Sequence, residues 1–108
     1  MASQVTFLES SQEWERCWFL LHTLDGPYLI CCWYRPPGES LTGISAMQSE
    51  LRRLRNQGVG VLIIGDMNVH NPRWLRFSNK NTPEGTLLYE TVAEEGLEQI
   101  VKEPTRNE

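Results

Sequence analysis

The chain alternates between nearly continuous apolar runs and short polar breaks marked by proline or glycine. Val5–Leu8 predicts a short strand, and Ser10, Ser11 and Gln12 read as a connection. Cys17–Leu24 and Tyr28–Tyr34 each predict a strand, and Asp25-Gly26-Pro27 between them is a turn signal. The pair should form an antiparallel hairpin. Both runs are almost unbroken in apolar residues, which predicts cover on both faces. Arg35-Pro36-Pro37-Gly38 ends the second strand, because proline cannot donate to a ladder.

From Ser40 to Arg55 the period changes. Leu41, Ile44, Met47, Leu51 and Leu54 fall on one stripe of a helix. Arg52, Arg53 and Arg55 occupy its last turn, where cations suit the helix dipole, and Gly58 is a stop signal. These arginines read as a solvated face in preference to a nucleic-acid patch. Val59–Ile64, short and β-branched, predicts a strand buried on both faces. Asn71-Pro72 breaks the chain, and Arg73–Glu84 reads as a loop with Trp74 and Phe77 as anchors. Thr86–Glu95 predicts a helix packed through Leu87, Leu88, Val92 and Tyr89 and capped by Gly96, and Leu97–Val101 a final strand. Strand, strand, strand, helix, strand, helix, strand is an α/β order with a mixed sheet.

A length of 108 residues bounds this to one small domain or part of a larger one, and 40% hydrophobic with 22% charged is an ordinary globular balance. The net charge of −4 argues against holding DNA by bulk charge. It leaves open an enzyme that meets a phosphate through a metal ion, since the ion then carries the positive charge. Cys17, Cys31 and Cys32 form no CxxC pair, so reduced thiols in an intracellular protein are the simplest reading. Met1–Ser10 lacks the marks of a signal peptide, and no apolar run approaches a membrane span, so no membrane partner is expected.

Candidate chemistry sits where two strands end. In open α/β sheets ligands gather beyond the carboxyl ends of strands. Gly65-Asp66-Met67-Asn68-Val69-His70-Asn71 directly follows the predicted buried strand. With side chains alternating, Asp66, Asn68 and His70 share one side, where they could orient a water, bond a phosphate oxygen and move a proton. Gly65 allows a close backbone approach or a bend. The competing reading is a polar turn. Tyr34-Arg35-Pro36-Pro37-Gly38 likewise ends a strand, and its phenol could donate to a phosphate; alone it reads equally as an edge tyrosine before a turn.

Taken together, a strand ending in Tyr-Arg-Pro-Pro, a helix, a strand ending in Gly-Asp-Met-Asn-Val-His, a helix and Gly-Leu-Glu-Gln-Ile-Val-Lys-Glu-Pro-Thr-Arg resemble the endonuclease/exonuclease/phosphatase superfamily. Within it the likeness is to the apurinic-type endonuclease domain of non-LTR retrotransposons, from about Cys17 to Arg106. The resemblance implies a partial four-layer α/β sandwich, with residues 1–108 as a single partial domain. It implies phosphodiester hydrolysis by an activated water with Mg2+, Mn2+ being the alternative ion. DNA would be the substrate of the full-length form, and the nucleus its location within a retrotransposon protein.

By the same resemblance Tyr34 bonds the scissile phosphate, Asp66 orients or deprotonates the water, and Asn68 positions the phosphate, with Asp66 and Asn68 near the metal. His70 falls where related sequences often carry histidine. The family's early asparagine and metal-ligand glutamate, and its final aspartate and histidine, have no counterpart here. Glu9 lacks the surroundings of that glutamate, and His22 reads as a packed or edge residue. Little rate enhancement is therefore expected of this chain alone, and exposed apolar edges should make it self-associate. Rival readings are a non-catalytic remnant and a small α/β interaction module. Cys31, Cys32, Trp18 and Trp33 read as core, and Trp74 as the tryptophan best placed to touch substrate.

Overall fold

A computed structural model describes residues 4–36, 40–66 and 83–98, with the backbone alone at positions 66 and 84. Its elements are β1 (Val5–Ser11), β2 (Arg16–Thr23), β3 (Gly26–Tyr34), α1 (Thr42–Leu54), a 3-10 turn (Arg55–Gln57), β4 (Gly60–Asp66) and α2 (Pro83–Glu94). The four strands form one sheet in the order β1-β2-β3-β4. The first three pair antiparallel and β4 joins β3 in parallel, so the sheet is mixed and the fold is α/β, as the pattern predicts. Two compact units are present: Met1–Glu39 with Met47–Asn68, and Ser40–Ala46 with Val69–Glu108.

In the first unit the sheet has two different faces. Arg16, Trp18 and Leu20 of β2 pair with Trp33, Cys31 and Leu29 of β3, and all six are buried. Glu50 of α1 bonds both Arg16 and Trp18, which places the helix on this face. Met47, Leu51 and Leu54 of the same helix are buried as well. Burying side chains of this size contributes about 1.5–3 kcal/mol each before entropy is counted.

The opposite face is apolar but open. Val5, Phe7, Leu21, Leu62, Ile64 and Tyr34 on it are all exposed, Phe7 to 65%. Of the described residues on this face only Ile30 is buried. The expectation that β2, β3 and β4 are covered on both sides is therefore corrected. An unbroken apolar run reports that both faces are greasy, and within this unit α1 covers only one of them.

Element boundaries differ from expectation for local reasons. β1 continues through Ser11 because the register shifts between Phe7 and Glu9, leaving Leu8 as a bulge. The bulge restores pairing of Glu9, Ser10 and Ser11 with Trp18, Cys17 and Arg16. The hairpin turn is Leu24-Asp25, one residue earlier than the Asp-Gly-Pro signal, with Gly26 and Pro27 already in β3. The Thr23 hydroxyl accepts the Asp25 N–H (3.2 Å) and donates to the Gly26 carbonyl (2.8 Å). Leu41 precedes the helix and is exposed, so it is not part of the buried stripe.

In the second unit α2 begins at Pro83, earlier than Thr86, using proline where a first-turn N–H is not needed. Leu88 and Thr91 are buried, whereas Leu87, Tyr89 and Val92 are half-buried. Gly96 ends the helix at φ +78, its N–H bonding the Ala93 carbonyl (3.1 Å) and that of Leu97 the Val92 carbonyl (2.8 Å). This is the two-bond cap expected of a glycine in the left-handed region. Leu97 and Glu98 belong to no strand, and the rest of the expected Leu97–Val101 strand lies outside the described residues.

Candidate active site at the strand ends

Parallel pairing of β3 with β4 sets Tyr34 directly opposite Asp66, at the carboxyl ends of both strands. Two positions 32 residues apart in sequence thus become neighbours at the kind of strand edge where α/β sheets bind ligands. The register follows from the close approach just before it. Gly65 pairs with Trp33 at φ +139, and a Cβ there would stand 1.8 Å from the Trp33 carbonyl oxygen. Only glycine fits both the torsion and the space.

Tyr34 is about half exposed. Its N–H donates to the Glu15 carbonyl (3.1 Å), extending the β2–β3 ladder one pair beyond the strand. Glu15 closes the β1–β2 turn at φ +48, a torsion uncommon outside glycine. An open depression of about 440 Å³ lies here, lined by Glu15, Cys32, Trp33, Tyr34, Ile64 and Gly65. Its lining is largely apolar, with Glu15, Cys32 and Tyr34 as the lining residues whose side chains ionise.

Behind the strand ends lies a buried charge pair. Arg16, fully buried in its side chain, donates from Nε to Glu50 Oε1 (2.8 Å) and from Nη2 to Glu50 Oε2 (2.6 Å). Trp18 Nε1 donates to the same Oε1 (2.7 Å). The Arg16 guanidinium also lies over the Trp33 ring, 4.8 Å from its centroid. The residue before Tyr34 is thereby held between a cation and the sheet. Trp33 Nε1 is buried without a hydrogen-bond partner, and Arg35, just after Tyr34, is buried too.

Sequence reasoning missed this network. The signal was Glu50, a charged residue inside the apolar stripe, three after Met47 and four before Leu54.

Of the sequence-derived candidates, Tyr34 and Asp66 are brought together. Asn68, His70 and Trp74 lie outside the described residues. Glu9 is engaged elsewhere: Arg53 donates to its two oxygens at 2.6 and 3.0 Å and holds its carboxyl below the usual carboxylate range. His22 is neither packed nor at a sheet edge: it lies exposed near the end of the interior strand β2, its Nε2 2.7 Å from the Thr6 hydroxyl. Trp18, Trp33 and Cys31 are core residues, and burial pushes the Cys31 thiol up. Cys32 is half-buried on the open face.

A divalent cation of the magnesium type takes several oxygen ligands. Among the described residues no group of three His, Cys, Asp or Glu is placed to hold one. Asp66 alone of the expected ligands stands on a described element.

The chain belongs to the endonuclease-reverse transcriptase family, whose profile matches residues 28–108. That match takes in both strand ends described above. Its fold is similar to that of the endonuclease domain of TRAS1, a telomere-specific non-LTR retrotransposon, with a TM-score of 0.65 and 20% identity. The likeness covers 93% of this chain and 45% of that one, so the chain spans less than half of the TRAS1 domain. No curated protein matches the sequence.

Proposed function

We propose that this chain carries the central part of a retrotransposon-type DNA endonuclease site, in which an activated water hydrolyses a phosphodiester. The observation that carries this reading is the register placing Tyr34 opposite Asp66 at the strand ends. In this reading the Tyr34 phenol donates to a phosphate oxygen, and Asp66 orients the attacking water and accepts its proton. Asn68 positions the phosphate, with His70 beside it. Mg2+, or Mn2+ in its place, belongs to the complete site, with Asp66 and Asn68 among its ligands; bound there it would offset the phosphate's charge. Nuclear action on DNA goes with the same assignment.

The family's metal-ligand glutamate and final aspartate-histidine have no counterpart in these 108 residues, which favours a chain without turnover of its own. Binding and turnover are therefore tested separately. Titration of the isotope-labelled chain with a short DNA duplex and Mg2+ should shift the Tyr34 and Asp66 resonances. Asp66→Ala should remove the Mg2+-dependent part and Tyr34→Phe the DNA-dependent part. Spectra that stay unchanged at both positions would refute the assignment.

A further inference from the structure

The β2–β3 register sets Cys17 directly opposite Cys32, so both side chains project from the same, open face. Both are half-buried, and burial, followed by the neighbouring Cys17 thiol, holds the Cys32 thiol above its ordinary range. The class of the pair follows from the ladder. Pro27 has no N–H, so His22–Pro27 is a non-hydrogen-bonded pair, and classes alternate from there. Cys17–Cys32 is then a hydrogen-bonded pair, as is Glu15–Tyr34 two steps on, where the bond is present. Cα atoms in such pairs are about 5.5 Å apart, within the roughly 4.4–6.8 Å that a disulfide spans. Their Cβ atoms, at about 4.5–5.5 Å, must close to about 3.8 Å. A bond made by pinching a hairpin this way is strained, and strained disulfides are the easily reduced ones.

We propose that Cys17 and Cys32 are a dithiol modification site, closing reversibly to a cross-strand disulfide with a low-molecular-weight disulfide as oxidant. One cysteine, as thiolate, attacks the oxidant RSSR, forming a mixed disulfide and releasing one RSH. The other then attacks the protein sulfur of that mixed disulfide, forming the Cys17–Cys32 bond and releasing the second RSH. Two protein thiols are oxidised, and one RSSR is reduced to two RSH. Cys31 does not compete, because it points to the opposite face and is fully buried. Cys32 lines the depression beside Tyr34 and lies on the same face, two residues before it. Closure would therefore fix the hairpin at the end that carries the candidate phosphate ligand.

The test is incubation of the folded, reduced 108-residue chain at low micromolar concentration with oxidised glutathione, followed by thiol counting, intact mass and peptide mapping. The expected result is loss of two of the three thiols and of two hydrogens in mass. The linked peptide should join Cys17 to Cys32, and dithiothreitol should reverse it. Cys31→Ser should close equally well, and Cys17→Ser should stop at a glutathione adduct on Cys32. The proposal is overturned if the wild-type chain keeps glutathione on Cys17 or Cys32 without closing. Linkage through Cys31, or only between molecules, overturns it equally.

Discussion

Gly65 shows how much one residue decides here. An added methyl would meet the Trp33 carbonyl at 1.8 Å, and φ is +139, so backbone must move on one strand or both. Gly65→Ala should therefore cost more than about 2 kcal/mol in urea unfolding. Gly96→Ala is the control: its φ is also positive, but nothing lies within 4 Å, so about 1–2 kcal/mol is expected. Equal costs at the two positions would mean that the close approach at Gly65 relaxes freely. Glu50 decides differently. Removing it leaves the Arg16 charge and the Trp18 N–H buried without that partner, so Glu50→Ala should cost about 3–5 kcal/mol. The double replacement Arg16→Met with Glu50→Leu should recover the part due to the buried charge, because the pair's desolvation nearly cancels its attraction, while the part due to the Trp18 N–H remains. Glu9 is the mild case. Its pKa is lowered from 4.5, chiefly by the Arg53 hydrogen bond, so its contribution is present above that value and fades as pH falls through the folded-state pKa. The pair is exposed, so wild type and Glu9→Gln should differ by about 1 kcal/mol or less at pH 7, and by a shrinking amount below pH 4.5.

At the scale of elements, the change from unbroken apolar runs to an apolar stripe with a period of about four was enough to read the hairpin, α1 and β4 in order. The end of β3 at Tyr34 was legible as well, since Arg-Pro-Pro punctuates it, whereas β4 runs two residues past the expected Ile64 to take in Asp66. What brings them together was not legible. Register depends on Gly65 meeting Trp33 and on a bulge at Leu8, neither of which leaves a periodic trace. The Arg16–Glu50 pair spans 34 residues, and local pattern carries nothing over that distance. Sidedness was misread, because an apolar run is the same whether one face is covered or two. That error has a measurable counterpart. Leu62 and Ile64 are exposed at 40% and 44% on the open face of β4, so changing both to threonine should keep strand propensity and cost little stability. The same change should lower hydrophobic-dye binding and self-association, read by fluorescence and sedimentation. A large fall in melting temperature with no change in association would show that the face is packed in solution.

For the molecule as a whole, charge and coverage point the same way. A chain at −4 gains little from counterion release, so in the proposed reading any DNA contact is local. The locus proposed for it is the pair of strand ends where Tyr34 stands opposite Asp66. Phosphoryl-transfer catalysis rests on several donors and cations placed together around the reacting phosphate, and removing one such donor commonly costs about 100- to 1000-fold. In the proposed endonuclease reading this chain lacks counterparts of a glutamate and of an aspartate-histidine pair, so their combined loss should take hydrolysis to background. Supercoiled plasmid incubated with the chain and Mg2+ should accordingly be nicked no faster than within about tenfold of the protein-free rate. Asp66→Ala should be indistinguishable from wild type in that assay, even though it removes the Mg2+-dependent shifts expected on titration. The two readouts separate binding from turnover. Fast nicking that Asp66→Ala abolishes would mean that other residues of this chain complete the site, and the outermost strand positions and residues 67–82 would be the places to look for them.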